Sequence, residues 1–396
     1  MPIESASSRP PTVRVSPRGA TRLKDGHVWV YRSDIVSADS VPPGSLIYVA
    51  DHRGKFLGSA LYSTSSQIAI RMISPDRVAD FLPLLHQRIA DAIAYREPLV
   101  HDTEAYRLVF SEADFLPGLI VDRYGDILSL QILTQAIDAD PVRQAILAEL
   151  TDLLHPASIV ERVDLRVREL ESLPSRASGL LQGDKSSTIF TMNSIQFRYD
   201  ALEGQKTGAF LDQRENYAAA SQYAKGEALD VFCYQGAFAL HLAPRCSHVT
   251  GVDSSRPALE VAEQNAALNH CEIEWIEGNA FDLLKDYSSG DHRYDTVVLD
   301  PPAFAKSKRD LDAALRGYKE LNLRALKMLR PGGMLVTCSC SYHVSQSNFL
   351  EMLADAALDA HRTLRLIEVR GQAKDHPILL NIRETAYLKC VIAVVS

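Results

Sequence analysis

The sequence predicts an α/β fold in three parts. A mostly parallel sheet with helices on both faces is expected over residues 201–396, preceded by a small β-barrel over 1–77 and a small α+β domain over 78–200. Three observations carry this expectation. Apolar strand-like runs alternate with helical patterns through the C-terminal half, the pattern of a parallel sheet with helical crossovers. Short strand-like runs with Pro/Gly punctuation crowd the N-terminal segment. The length of 396 residues, at roughly 150 residues per domain, leaves room for two or three domains.

The elements follow in chain order. Val13 to Val15, His27 to Tyr31, Ser45 to Ala50, Phe56 to Tyr62 and Gln67 to Ile73 read as strands, with Pro42-Pro43-Gly44 and His52-Arg53-Gly54 as turns. Several short strands in so little chain suggest a barrel. Phe81 to Tyr95 has helical spacing. Tyr106 to Phe110, Leu119 to Arg123 and Ile127 to Leu133 read as strands, with Tyr124-Gly125-Asp126 as a hairpin turn. A helix near Pro141 to Leu154, a strand at Ser158 to Glu161 and a loop-rich stretch at Leu173 to Ser187 complete the middle part. The last part offers strands at Ala228 to Phe232, His248 to Asp253, Ile273 to Glu277, Asp295 to Asp300, Met334 to Ser339, Leu364 to Val369 and Tyr387 to Val395. Only a loop separates the final two, so they are expected to pair antiparallel.

Composition excludes several classes. With 46% apolar and 23% charged residues, the chain is globular rather than disordered. Charges break every apolar run well before the ~18 residues of a membrane span. Met1 to Thr12 lacks the apolar core of a signal peptide. Six scattered cysteines without a CxxC spacing exclude a disulfide scaffold and a zinc knuckle, and a cytoplasmic, reducing setting is expected. Net charge is −8, yet residues 1–77 hold ten Lys/Arg against six Asp/Glu, a local +4 that leaves −12 for the rest. A basic module on an acidic body hints at a polyanion partner, although ordinary solvation explains many such faces.

Ligands of parallel sheets sit at the carboxyl ends of the strands, and the motifs fall there. Leu229-Asp230-Val231-Phe232-Cys233-Tyr234-Gln235-Gly236 follows a strand and opens a helix, but it keeps only the last glycine of the diphosphate fingerprint G-x-G-x-x-G. Asp253 ends the next strand, 17 residues after Gly236, where a carboxylate can hold both ribose hydroxyls. Asn279 follows the third strand, placed to read an adenine edge. Each of Asp230, Asp253 and Asn279 alone would serve as a turn or cap. Their shared register points to an adenosine ligand without a diphosphate, S-adenosylmethionine.

Asp300-Pro301-Pro302-Ala303-Phe304 ends the fourth strand. Two prolines fix φ and lack donors, giving a rigid lip from which Asp300 projects into the cleft. Leu329-Arg330-Pro331-Gly332-Gly333 reads as a turn feeding the fifth strand, Met334 to Ser341, which carries Cys338 and Cys340 on one face with Cys340 nearer the cleft. A strand cysteine is usually a small buried hydrophobe. Beside an Asp-Pro-Pro lip it also suits pyrimidine chemistry: thiolate addition at C6 makes C5 nucleophilic. With a free-thiol pKa near ~8.5, only a few per cent is thiolate unless the site lowers it.

At these residues the sequence resembles the RlmI-type 23S ribosomal RNA cytosine-C5 methyltransferases. The resemblance covers nearly the whole chain and is most specific at Lys206-Thr207-Gly208-Ala209-Phe210-Leu211-Asp212-Gln213-Arg214, at Leu299 to Pro302 with Phe304, at Arg316 to Lys319, at Ser339-Cys340-Ser341 and at Asp375-His376-Pro377. It implies a PUA-like barrel, a small α+β domain and a class I methyltransferase domain with a Rossmann-like sheet. It implies that Gln213 and Arg214 close over S-adenosylmethionine, that Phe232 to Gly236 surround its methionine moiety, and that Asp253 and Asn279 hold ribose and adenine. Phe210, Asp230, Cys233, Tyr234, Ser254, Ala280 and Asp300 join the cofactor set. The family usually has Asp where Asn279 stands, though an amide oxygen still accepts a hydrogen bond. Asp300 is expected at N3 or N4 of a flipped cytosine, with Cys340 as nucleophile and Pro301, Pro302 and Phe304 beside the base. Related enzymes place a second cysteine after the motif proline; here Ala303 follows Pro302, so the base that removes the C5 proton is unassigned. Arg14, Arg18, Arg22 and Lys24 are expected to grip phosphates of 23S ribosomal RNA. The products are 5-methylcytidine and S-adenosylhomocysteine. No metal is expected, no membrane partner, and a homodimer. Guanine-directed methylation, uracil-C5 methylation and a decayed, non-catalytic RNA-binding protein are the competing readings.

Overall fold

The computed structural model describes residues 9–38, 40–202, 209–305 and 307–396. Lys206, Thr207 and Gly208 of the motif above lie outside the described residues. The N-terminal sheet has six strands: β1 (Thr12–Val15), β2 (Trp29–Tyr31), β3 (Ile35–Ser37), β4 (Leu46–Ala50), β5 (Phe56–Tyr62) and β6 (Ile68–Ser74), in the order β2-β6-β5-β4-β1-β3. Val13, Val15, Val30, Ile47, Val49 and Ile70 fill its interior. Helix α1 (Pro17–Lys24) was not expected from the strand-like reading. Its signal is local: Ser16 accepts from the Gly19 N–H at 3.1 Å and Pro17 stands at the first helical position, where a missing N–H costs nothing.

The middle sheet runs β11-β10-β9-β8-β7, with β7 (Ala105–Phe110), β8 (Leu119–Tyr124), β9 (Ile127–Ile132), β10 (Ser158–Glu161) and β11 (Gly179–Gln182). Helices α2 (Phe81–Arg96) and α3 (Asp140–Leu154) cover it, burying Leu85, Ile89, Ile146 and Leu150. The stretch read as loop from Leu173 to Ser187 thus holds β11, and α4 (Leu165–Glu171) was missed before it. A hairpin follows, β12 (Ser187–Met192) with β13 (Ile195–Asp200). Its Phe190 and Phe197 share one core cluster with Tyr217 and Phe238 of the C-terminal part. Aromatic pairs of this kind contribute about 0.5–1.5 kcal/mol each beyond area burial.

The C-terminal sheet has seven strands in the order β16-β15-β14-β17-β18-β20-β19: β14 (Gly226–Val231), β15 (Cys246–Asp253), β16 (Glu274–Glu277), β17 (Tyr294–Leu299), β18 (Leu329–Ser339), β19 (Leu364–Arg370) and β20 (Lys389–Val395). The first five are parallel, and β20 pairs antiparallel with both β18 and β19. The helices are α5 (Arg214–Tyr223), α6 (Ala237–Leu242), α7 (Arg256–Leu268), α8 (Ala280–Ser289), α9 (Leu311–Met328) and α10 (Gln346–Asp359). Burial on both faces explains why the central strands read as unbroken apolar runs, Val297-Val298-Leu299 for example. Arg330 to Gly333, expected as a turn, are a bulge inside β18: Tyr294 pairs with Leu329, but Thr296 pairs with Met334. Strand order reverses between β14 and β17, which opens the cleft at their carboxyl ends.

The three sheets are joined by buried polar contacts. Arg71 and Ser63 of the barrel bond Glu171, each at 2.7 Å. Arg96 bonds Asp114 and also the carbonyl of Asp375 at 2.8 Å, and the Arg107 N–H donates to Asp375 Oδ2 at 2.8 Å. No described helix is long and apolar enough to cross a membrane.

Candidate active site

The cleft begins where β14 turns into α6. Phe232, Tyr234 and Gly236 have φ of 67°, 50° and 82°. Left-handed backbone costs a side-chain-bearing residue about 1–2 kcal/mol, and it persists where the surroundings over-determine it. Here the Phe232 and Cys233 N–H groups both donate to the Val252 carbonyl, at 2.9 and 3.0 Å. The Tyr234 N–H donates to Asp253 Oδ2 at 2.9 Å. At Gly236 a Cβ would lie 2.6 Å from Cη2 of Trp275, so only glycine fits.

Three carboxyl groups converge on this loop. Asp230 is fully buried. Its Oδ2 accepts from the Ala239 N–H at 2.9 Å, and its Oδ1 is buried with no hydrogen-bond partner among the described residues. Burial pushes the Asp230 carboxyl up to about 8 against that hydrogen bond, and the neighbouring Asp300 and Asp253 add to the rise. Asp253, half-buried, also accepts from the Ser255 N–H at 2.9 Å. Asp300 accepts from Gln213 Nε2 at 3.0 Å; burial, then Asp212, push its carboxyl up to about 7. None of the three has an ion-pair partner among the described residues. Mutually repelling carboxyls around an orphaned buried oxygen suit a ligand that brings positive charge. S-adenosylmethionine carries two cations, a sulfonium and an α-ammonium, and no phosphate, so these residues fit it.

The other expected cofactor residues divide. Phe210, 49% exposed, sets its ring edge-on to Tyr234 at 5.2 Å. Arg214 is buried and turns to Asp375 Oδ1 at 3.1 Å. The Asn279 oxygen serves as the cap of α8, accepting from Phe281 N–H at 2.9 Å. Ser254 is exposed and Ala280 is buried in the first turn of α8.

Cys340 stands one residue beyond the end of β18 rather than within the strand. Its Sγ is 4.0 Å from the Pro301 carbonyl oxygen. Cys338 is fully buried and pairs in register with Cys390 of β20. Pro301 is buried, Pro302 exposed, and Phe304 packs on Tyr318 at 4.6 Å. The site does not lower the Cys340 thiol. Burial, then Asp300 and Asp212, push it up to about 12, with Lys389 opposing.

Lys389 was missed by sequence reasoning. It is buried on β20, and its Nζ donates to the carbonyls of Ser341 at 2.6 Å and Tyr387 at 2.8 Å. Burial pulls its ammonium down to about 8, and Cys340 opposes that pull. The available signal was a lone lysine opening the apolar run Cys390-Val391-Ile392.

The four basic residues expected at phosphates lie on the barrel. Arg14 on β1 and Arg18 and Lys24 on α1 are exposed. Arg22 instead pairs with Asp34 at 3.3 Å and lies over the Tyr31 ring at 4.6 Å. The end of α1 reaches the loop between β19 and β20 through His27 and Glu384 at 3.3 Å, and through Asn381 to the Gly26 carbonyl.

Comparison with known proteins adds the family. Residues 13–75 match the PUA-like domain family, and residues 134–389 match the S-adenosylmethionine-dependent methyltransferase family. The chain is 36% identical over 396 residues to the ribosomal RNA large subunit methyltransferase I of Shewanella denitrificans, covering 96% of this chain and 98% of that one. Its identity to the protein of the same name from Photobacterium profundum is 38% over 383 residues, covering 93% and 95%. A methyltransferase solved with S-adenosylhomocysteine shares the fold at TM-score 0.84 and 20% identity, covering 97% of this chain and 100% of that one. A second, from Streptococcus mutans, has TM-score 0.82 at 19% identity, with coverage of 97% and 100%. By these matches over nearly its whole length, the chain belongs to the ribosomal RNA large subunit methyltransferase I family of S-adenosylmethionine-dependent methyltransferases.

Proposed function

We propose that this protein methylates C5 of a cytidine in 23S ribosomal RNA through a transient bond between Cys340 and C6 of the base. The observation that carries the reading is a thiol at the carboxyl end of β18, 4.0 Å from the Pro301 carbonyl and within the field of Asp300. The relatives' names supply the ribosomal RNA large subunit. S-adenosylmethionine, when bound, supplies an electrophilic methyl group. Asp230 and Asp253 take its cationic and ribose parts, beside the Phe232 to Gly236 loop. Asp300 holds the N3 or N4 edge of a cytosine that has left its stack, at a cost of a few kcal/mol. With its carboxyl near 7, Asp300 can donate as well as accept at neutral pH. Lys389 favours the ionised form of Cys340. Arg14, Arg18 and Lys24 on the barrel contact phosphates, which position the RNA without reading its sequence.

The test is transfer of labelled methyl from S-adenosylmethionine to unmodified 23S ribosomal RNA, followed by digestion to nucleosides. Label in 5-methylcytidine is expected. Label in a methylguanosine or in 5-methyluridine would overturn the reading.

The cofactor assignment makes a second prediction. In the folded chain the Asp230 carboxyl titrates near 8, against about 3.9 when unfolded. The native state therefore holds a proton that the unfolded state loses, and stability falls as pH rises from about 4 to 8. Asp230→Asn keeps the acceptor for the Ala239 N–H and cannot ionise. Its melting temperature at pH 8 is expected above that of wild type, while cofactor affinity falls about 10- to 100-fold, the worth of a charge-assisted hydrogen bond. Calorimetry that finds unchanged cofactor binding would remove Asp230 from the ammonium site.

A further inference from the structure

Methyl addition leaves C5 of the adduct carrying both the new methyl group and its original hydrogen. A base must take that proton before the enzyme can leave, and Ala303 excludes the cysteine that other enzymes place after the motif proline. We infer that Asp212 is this base and that Tyr387 orients it. The inference rests on the cytosine-C5 reading.

Asp212 lies in the short helical turn Leu211–Gln213, next to the residue whose amide holds Asp300. The Tyr387 hydroxyl donates to Asp212 Oδ2 at 2.7 Å. The Tyr387 carbonyl in turn accepts from Lys389, whose ammonium also bonds the carbonyl of Ser341, directly after Cys340. Asp212 is thus tied to one half of the base site through its chain neighbour Gln213 and to the other through hydrogen bonds running by way of Tyr387 and Lys389. The backbone is fixed as well, since the Asp212 carbonyl accepts from the Ala373 N–H at 2.8 Å. Oδ1 of Asp212 takes no hydrogen bond from the described residues. The charge of Asp212 helps push both the Asp300 carboxyl and the Cys340 thiol up. A base held by a third group is the arrangement general-base catalysis needs.

The alternatives around the thiol are committed elsewhere. Lys389 directs its protons at two carbonyls. Asp300 is engaged with Gln213 and is assigned to the N3 or N4 edge. In the step itself the C5–H bond breaks and the proton passes to the Asp212 carboxylate. The bonding pair becomes the C5–C6 double bond, the C6–S bond breaks, and sulfur leaves with its electron pair as the Cys340 thiolate. Asp212 then returns the proton to water.

Asp212→Asn keeps an acceptor for Tyr387 and removes the base. With unmodified 23S ribosomal RNA and labelled S-adenosylmethionine, this variant is expected to transfer about one methyl per enzyme and stop. The label should travel with the protein on a denaturing gel, and multiple turnover should fall about 10²- to 10⁴-fold, the usual worth of a general base. Tyr387→Phe, which removes one hydroxyl, should lengthen the adduct lifetime with a smaller loss of turnover. It carries the same readout should the Asn variant fold poorly. Wild type with RNA containing 5-fluorocytidine is the control for the underlying reading, because fluorine cannot leave as a proton. Trapping of wild type on that RNA together with free turnover by Asp212→Asn on ordinary RNA overturns the role of Asp212 alone. Failure of wild type to trap on it overturns the cytosine-C5 reading and the inference with it.

Discussion

Replacing Cys340 by alanine should reduce methyl transfer to ribosomal RNA by at least about 10⁴-fold, because loss of a covalent nucleophile removes the route rather than one stabilising contact. C5 of cytosine is too weak a nucleophile in the intact ring, and only addition at C6 makes it enamine-like. The thiol is half-buried, and its burial together with the charges of Asp300 and Asp212 pushes it up to about 12, so the ligand-free protein holds it protonated at pH 7. Lys389 offsets part of that rise, and a cation entering among Asp230, Asp253 and Asp300 would offset more. The nucleophile is therefore expected to awaken when the cleft is filled, which keeps it inert toward other electrophiles. Alanine removes little buried volume, so cofactor affinity and melting temperature should stay near wild type. A variant that retains more than a few per cent of wild-type turnover would sink the thiol mechanism, and an unaffected methylguanosine product would identify a guanine-directed enzyme.

The second large effect concerns stability. Asp375 is fully buried. It accepts from the Arg214 guanidinium and from the Arg107 N–H, while its carbonyl accepts from Arg96. Burial alone would raise its carboxyl, but His376 and Arg214 outweigh burial and hold it well below the usual range. Asp375→Ala removes the shorter of two ion pairs of the buried Arg214 guanidinium, leaving only Glu215 at 3.6 Å, and its Nε has no partner among the described residues. Breaking a buried pair from one side costs about 3–5 kcal/mol, which at roughly 2–4 °C per kcal/mol lowers the first melting transition by on the order of 10 °C. The sign of the pH dependence follows. A depressed carboxyl adds stability above its unfolded value of about 3.9, and that stability is lost as pH falls below it. The gap between wild type and Asp375→Ala should thus be full at pH 7 and shrink toward pH 3. Turnover should fall too, because Arg214 follows Gln213, which holds Asp300. A melting shift under about 2 °C at pH 7 would show that the contact is not a structural tie.

Much of the fold is legible in the sequence because its causes are local. Strand and helix periods, the Tyr124-Gly125-Asp126 turn and the alternation after residue 201 depend on neighbours a few residues apart. Misreadings arose where local signals were short or competed. Ser16-Pro17 starts a helix that strand-like surroundings concealed, and Gly179 to Gln182 forms β11 only because Ile159 and Val160 offer it an edge. The acidic and cysteine positions at strand ends were likewise readable, since they follow from register.

What only the tertiary structure decided is which charges meet. Asp212 and Tyr387 are separated by 175 positions and bond at 2.7 Å. Nothing in either neighbourhood announces the other. The rise of the Cys340 thiol, the orphaned oxygen of Asp230 and the diversion of Arg22 to Asp34 are all consequences of packing. Sequence by itself determined most element types and most residue kinds at the cleft, Lys389 excepted, because backbone preference and side-chain periodicity act over one or two turns. Burial and electrostatic field are set by groups brought together from distant segments, so the protonation state and partner of each residue exist only once the chain has folded.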